Sequence, residues 1–238
     1  MKRFFFCGAA ALAPAAVFAA EGAGKEGLIT GSNLLDTFMR GGPMMWPILL
    51  CSVIALAMVF ERAVTLRAGA VFPRDLLKRV EDSVAGDRIE EARNLCRKDK
   101  SPLASLMYSC LSRSDAPGFE METALEEAGS RILYDLRRNS RPLGIIGDIA
   151  PLLGLMGTVM GMIKAFEVVA RTGALGRAQL LAEGIGEALL TTAFGLAVGI
   201  PSIIFYQYFR GKADGLLRSM EDACIRVMDD LRNRRKQA

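Results

Sequence analysis

Hydrophobic residues come along this chain in four blocks, and the charged residues fill the intervals. The first block, FFFCGAAALAPAAVFAA at residues 4–20, follows Lys2 and Arg3 and ends in small residues. That is the order of a secretory signal peptide over 1–20, and Val17-Phe18-Ala19 fits a small-x-small cleavage rule. An uncleaved membrane helix is the alternative. The second block, PMMWPILLCSVIALAMVF, carries no charge and predicts a transmembrane helix over 43–61, since about 18 apolar residues span a bilayer. Trp46 stands where an aromatic interface residue belongs, and Glu61-Arg62 closes the other end. The third and fourth blocks predict transmembrane helices over 142–169 and 185–209. Tyr206, Tyr208 and Phe209 mark the exit of the last, with Arg210 and Lys212 beyond.

The intervals read as helix too. Met121, Leu125, Ala128, Ile132 and Leu136 recur at helical spacing, as do Leu217, Met220, Cys224, Val227 and Leu231 in the tail. RIEEARNLCRK and SPLASLMYSCL predict shorter helices, the latter starting at Ser101-Pro102. No strand-like alternation of any length appears. The expected fold is therefore all-α: three membrane helices after the signal segment, with a helical bundle extending them. Basic residues crowd 62–141 and the tail 210–238, but are sparse in 21–42 and in the loop 170–184. The positive-inside rule then puts 62–141 and 210–238 in the cytoplasm and the mature N-terminus and loop outside.

Composition narrows the chemistry. The 238 residues include no histidine, which excludes a His-based triad or zinc site. Cys7, Cys51, Cys96, Cys110 and Cys224 form no C-x-x-C and are odd in number, so they read as core or membrane residues. The net charge of +4 is spread among acidic neighbours, which argues against nucleic acid as a partner. GAGKEG at 22–27 lacks P-loop spacing. No cofactor, metal site or enzymatic activity is expected.

The third and fourth blocks carry stripes of small residues. Ala150, Gly154, Gly157, Thr158, Gly161 and Ala165 recur at three- and four-residue spacing, and so do Gly184, Ala188, Thr191, Thr192, Gly195 and Gly199. Glycine weakens a helix in water by about 1 kcal/mol, but in lipid small residues let helices approach closely. One reading is helix packing, each threonine satisfied by its own backbone. The other is a pore or rotor surface against which another helix turns. Glu187 is the only carboxylate in 185–209. An ionisable residue in a membrane helix is costly and marks a functional candidate, here a group that takes up and releases protons. An interfacial carboxylate is the plainer alternative. Asp148 is expected to pair with Arg141 or to favour a helix N-terminus, Lys164 to snorkel, and Pro151 and Pro201 to bend their helices.

IAPLLGLMGTVMGMIKAF (149–166) and IGEALLTTAFGLAVGIPSIIFYQYF (185–209) resemble the two signature helices of the ExbB/TolQ/MotA proton-channel family, and ERAVTL resembles the end of the first ExbB helix. The resemblance covers roughly residues 43–235. It implies a bacterial inner-membrane motor subunit that uses the proton motive force to energise TonB-dependent transport. Its partners would be an ExbD-like single-span protein, a TonB-like transducer and further copies of itself, as a pentamer. TolQ-like or MotA-like roles are alternatives within the family, and a passive membrane scaffold is an alternative outside it. Carried over, the pore threonines fall on Thr158 and Thr192 and the membrane glutamate on Glu187. Thr191 shares a helix face with Glu187 and is expected on the proton pathway with Thr158, Thr192 and Glu187, whereas Thr192 is rotated from Glu187 by about 140°. The segment 21–42 departs from simple ExbB proteins.

Overall fold

The computed structural model describes residues 38–39, 41–114, 118–172 and 178–235. The expected signal segment 1–20, most of 21–42, the centre of the loop 170–184 and the last residues of the tail lie outside them. The described residues form helices throughout: α1 (Met45–Thr65), α2 (Ala68–Val71), α3 (Arg74–Ala85), α4 (Ile89–Lys98), α5 (Pro102–Ser112), α6 (Gly118–Arg138), α7 (Arg141–Thr172) and α8 (Ala178–Arg235). No strand occurs among them. Three of these helices, α1, α7 and α8, are long and apolar enough to cross a membrane. The chain is thus an all-α polytopic membrane protein. Such a protein must satisfy its backbone polar groups within each spanning segment, which is why apolar runs of this length become helices. The chain divides into two compact units.

The first unit contains residues 143–205 of α7 and α8, and α1 up to Ala57. Its outward surface is apolar. Leu50, Val53 and Leu56 on α1, Leu152, Leu155 and Ile163 on α7, and Leu189 and Ile200 on α8 are exposed. Water would disfavour that surface and hydrocarbon accommodates it. Inside, the contacts are between small residues. Ala150, Ala165 and Ala188 are buried beside the glycines of the two stripes. Pro151 and Pro201 both lie inside continuous helices.

The second unit contains residues 58–142 and the chain from Tyr206 onward. Its core is a water-soluble one: Val80, Val84, Leu103, Leu106, Met107, Leu111, Met220 and Val227 are buried. Helices α3 to α6 pack in sequence, each on the next. Helix α5 starts as expected, with Pro102 at its first turn and the Ser101 hydroxyl accepting from the Ala104 amide. Arg93 closes its other end, donating from Nε to the Leu111 carbonyl (2.9 Å) and from Nη2 to the Ser114 hydroxyl (3.0 Å). Met121, Leu125 and Leu136 of α6 are buried, as are Leu217, Met220, Cys224, Val227 and Leu231 of α8, so both helical stripes face a core. Cys96 and Cys110 are buried too, and Cys51 is half-buried.

Arg62, read with Glu61 as closing the first span, is 1% exposed; it pairs with Glu61 at 2.9 Å and its Nε has no hydrogen-bond partner among the described residues. Arg141 does not pair with Asp148. Its guanidinium lies 5.1 Å from the ring centroid of Tyr134, where the ring's negative face attracts it. Asp148 is exposed about two turns further along α7.

Candidate membrane-helix functional site

The two stripes of small residues meet each other within one chain. A side chain on Gly154 would strike the Thr191 carbonyl and the Thr192 Cα, each at 3.0 Å. One on Gly195 would strike the Ala150 carbonyl at 2.6 Å, and one on Gly199 would strike Pro151 at 2.6 Å. Gly161 lies 2.9 Å, measured from the same position, from the Ala188 methyl, and Gly184 lies 2.7 Å from that of Ala165. Low numbers on α7 meet high numbers on α8, so the two helices run antiparallel. Backbones this close leave no space for any larger residue, and dispersion between them replaces the hydrophobic drive that lipid cannot supply. Gly147 belongs to the same seam, since a Cβ there would meet Ile203. It was not among the expected packing residues.

The glycines are therefore filled from inside the protomer. An oligomer contact through these stripes, or a helix turning against them, would have to displace α7 from α8. A Cβ on any of Gly154, Gly157, Gly161, Gly184, Gly195 and Gly199 would meet atoms of the facing helix.

The three threonines divide by position. Thr191 is 1% exposed; its hydroxyl donates to the Ala188 carbonyl at 2.8 Å and its side chain lies directly over Gly157. It is enclosed between the helices and meets no open surface of this unit. Thr158 is half-buried, and its hydroxyl donates to the Leu155 carbonyl at 2.6 Å. Thr192 is also half-buried, but it donates across the seam to the Gly154 carbonyl at 3.2 Å. Thr158 and Thr191 are thus satisfied by their own helix, and Thr192 joins two helices.

Glu187 is not a lone carboxylate. Its Oε1 accepts from Lys164 Nζ at 2.7 Å, with the side chains 22% and 46% exposed. Lys164 was expected to snorkel away from the apolar span, and it reaches across to α8 instead. Pairing makes the two charges neutral as a unit, which lowers the cost of holding either near the membrane interior. Gly42 abuts the same carboxylate. Its φ is +69°, a left-handed conformation suited to glycine, and a Cβ there would fall on Glu187 Oε1. The sequence held a signal for the ion pair. An antiparallel register that sets Gly161 beside Ala188 and Ala165 beside Gly184 brings Lys164 close to Glu187.

A model of the MotA/TolQ/ExbB proton channel family matches residues 98–222, which include α5, α6, all of α7 and most of α8. The chain belongs to that family. An ExbB-like protein of Synechocystis sp. is 34% identical over 183 residues, covering 74% of this chain and 70% of its own. The biopolymer transport protein exbB1 of Vibrio cholerae serotype O1 is 29% identical over 196 residues, covering 76% and 80%. The biopolymer transport protein ExbB of Pseudomonas putida is 40% identical over 149 residues, 59% of this chain and 45% of its own. The family match takes in both small-residue stripes, the threonines and the Lys164–Glu187 pair. Helix α1 and Gly42 lie before it.

Proposed function

We propose that this protein is a proton-channel and stator subunit of an ExbB–ExbD type motor in the bacterial inner membrane, energising TonB-dependent transport across the outer membrane. The observation that carries the reading is an ion pair and three hydroxyls placed on tightly packed membrane helices inside the region matched by a proton-channel family. Names of relatives as biopolymer transport proteins support it.

In this reading the rigid α7–α8 pair is the wall, and copies of it surround the membrane helix of an ExbD-like partner. Thr158 and Thr192 line the path. Each keeps acceptor capacity on its hydroxyl after donating to a carbonyl, so each can hold a water or the protonated acid of the partner. Glu187 exchanges its bond to Lys164 for a proton. Thr191 stays in the wall as packing. One charge crossing about 150 mV releases roughly 3.5 kcal/mol, scaled from about 2.3 per 100 mV, enough to bias a step between two packings. The density of Lys and Arg in 62–141 and 210–238 favours a cytoplasmic location for both, with the mature N-terminus and the loop 170–184 in the periplasm.

The test is proton flux through the reconstituted complex with its ExbD-like partner. Thr158→Val, Thr192→Val and Glu187→Gln should each lower flux while assembly persists. Undiminished flux in all three would leave a passive scaffold as the better account. A TolQ-like role is separated by phenotype, since its loss would weaken the outer membrane without abolishing TonB-dependent uptake.

A further inference from the structure

The second unit contains a cavity of about 150 Å³ lined by Arg137, Ser140, Arg141, Tyr206 and Arg210. That is roughly ten times the ~15 Å³ a single water requires. Three of its five lining residues are arginines. Arg137 is neutralised, donating to Asp214 through Nε at 2.8 Å and Nη2 at 2.5 Å. Arg141 is exposed and has Tyr134 at its face but no acidic partner, and Arg210 is exposed with no ion pair among the described residues. The cavity therefore holds two uncompensated positive charges.

A second observation points to a ligand. Ser140 is 1% exposed and its Oγ has no hydrogen-bond partner. A buried hydroxyl left without a partner forfeits its hydration with nothing in return, and this one belongs to the wall of a cationic cavity. An occupant with several acceptor oxygens would satisfy it. Arg141 and Arg210 would supply charge-assisted donors of the kind that bind phosphate. Tyr206 adds a phenolic donor.

The cavity's place in the chain selects the source of the phosphate. Arg141 is the first residue of α7, and the apolar run of that helix starts just after it. Tyr206 and Arg210 stand where the apolar run of α8 ends. Arginine and tyrosine at such ends lie at headgroup level, and basic pockets there hold anionic headgroups. We propose that this cavity binds the phosphodiester headgroup of an acidic membrane phospholipid. Arg141 and Arg210 provide the charge, the Ser140 hydroxyl and Tyr206 the neutral hydrogen bonds, and the Arg137–Asp214 pair a fixed wall.

The experiment is native mass spectrometry of the full-length chain in detergent, titrated with phosphatidylglycerol, phosphatidylcholine or inorganic phosphate. Phosphatidylglycerol should be retained in preference to phosphatidylcholine. Arg141→Gln and Arg210→Gln should each weaken it about fivefold, the equivalent of about 1 kcal/mol per basic residue. Ser140→Ala should weaken it by a smaller factor. The Arg141→Lys, Arg210→Lys double variant keeps the charge and should retain the lipid, which separates lost binding from lost folding. Equal retention of the two lipids, or wild-type affinity in the Arg141→Gln, Arg210→Gln double variant, overturns the proposal. So does arginine-dependent binding of inorganic phosphate with no lipid retained, which would make a free anion the occupant.

Discussion

Lys164 and Glu187 form a pair that neither residue's own helix requires, because 23 positions separate them in sequence. Glu187→Gln should leave the ammonium facing an amide and destabilise the assembled protein by about 1 kcal/mol, a modest cost because both side chains retain some solvent. Adding Lys164→Met should restore that stability without restoring proton flux, if Glu187 itself carries protons. A double variant that recovered flux would make the pair structural. Thermal unfolding and flux measured on the wild type and these two variants separate the two. Cys96 offers a pH test in the other unit. Burial, reinforced by Asp99 and Cys110, pushes its thiol from 9.0 up to about 11. The unfolded chain loses that proton first, so the stability it contributes is complete below about pH 9 and lost as pH rises toward 11. The melting temperature in detergent should fall across that window, and Cys96→Ala should flatten part of the fall.

Glycine acts differently in different stretches of the same helix. In α8, Gly195 faces the backbone of α7, whereas Gly186, Gly211 and Gly215 meet nothing within 4 Å. Gly195→Leu and Gly154→Leu should therefore separate α7 from α8 and abolish complex formation on a native gel while membrane insertion persists. Gly215→Ala should instead stabilise the protein by about 1 kcal/mol, the helix-propensity difference in water. An assembled Gly154→Leu protein would refute the seam. At α5 the cap is the point of control. Ser101→Ala removes the bond to the Ala104 amide and should cost about 1 kcal/mol in the thermal unfolding of the protein.

Topology is a property of the whole molecule, and the native cysteines cannot report it. Cys96, Cys110 and Cys224 would resist an impermeant thiol reagent on either side of a membrane, because all three are buried. An exposed probe is needed, and Lys98 at the end of α4 is exposed. If the second unit is cytoplasmic, Lys98→Cys should label only after the cells are permeabilised. Labelling of intact cells would reverse the orientation inferred from the basic residues. The two units also differ in what their cores are made of. One buries small residues against backbone and presents large apolar side chains outward; the other buries leucine, valine and methionine and presents charges. The first is built for hydrocarbon and the second for water.

The sequence by itself determined the elements and the solvent each one meets. An uncharged run such as 43–60 can satisfy its backbone in lipid only as a helix, and the periodic leucines and methionines of 121–136 and 217–231 can bury one face only as amphipathic helices. It also determined that α7 and α8 could approach closely, because Gly154, Gly161, Gly195 and their neighbours permit little else. Which surface fills those stripes was a tertiary decision. Thr191 and Thr192 are adjacent in sequence, yet one is enclosed over Gly157 and the other bonds to Gly154, 38 positions away. The same holds for the burial of Arg62, for Lys164 reaching Glu187 and for the unpartnered hydroxyl of Ser140. Periodicity encodes how a helix is rotated about its own axis. The register and depth at which two helices meet depend on the summed fit of many contacts, and these partners follow from that register.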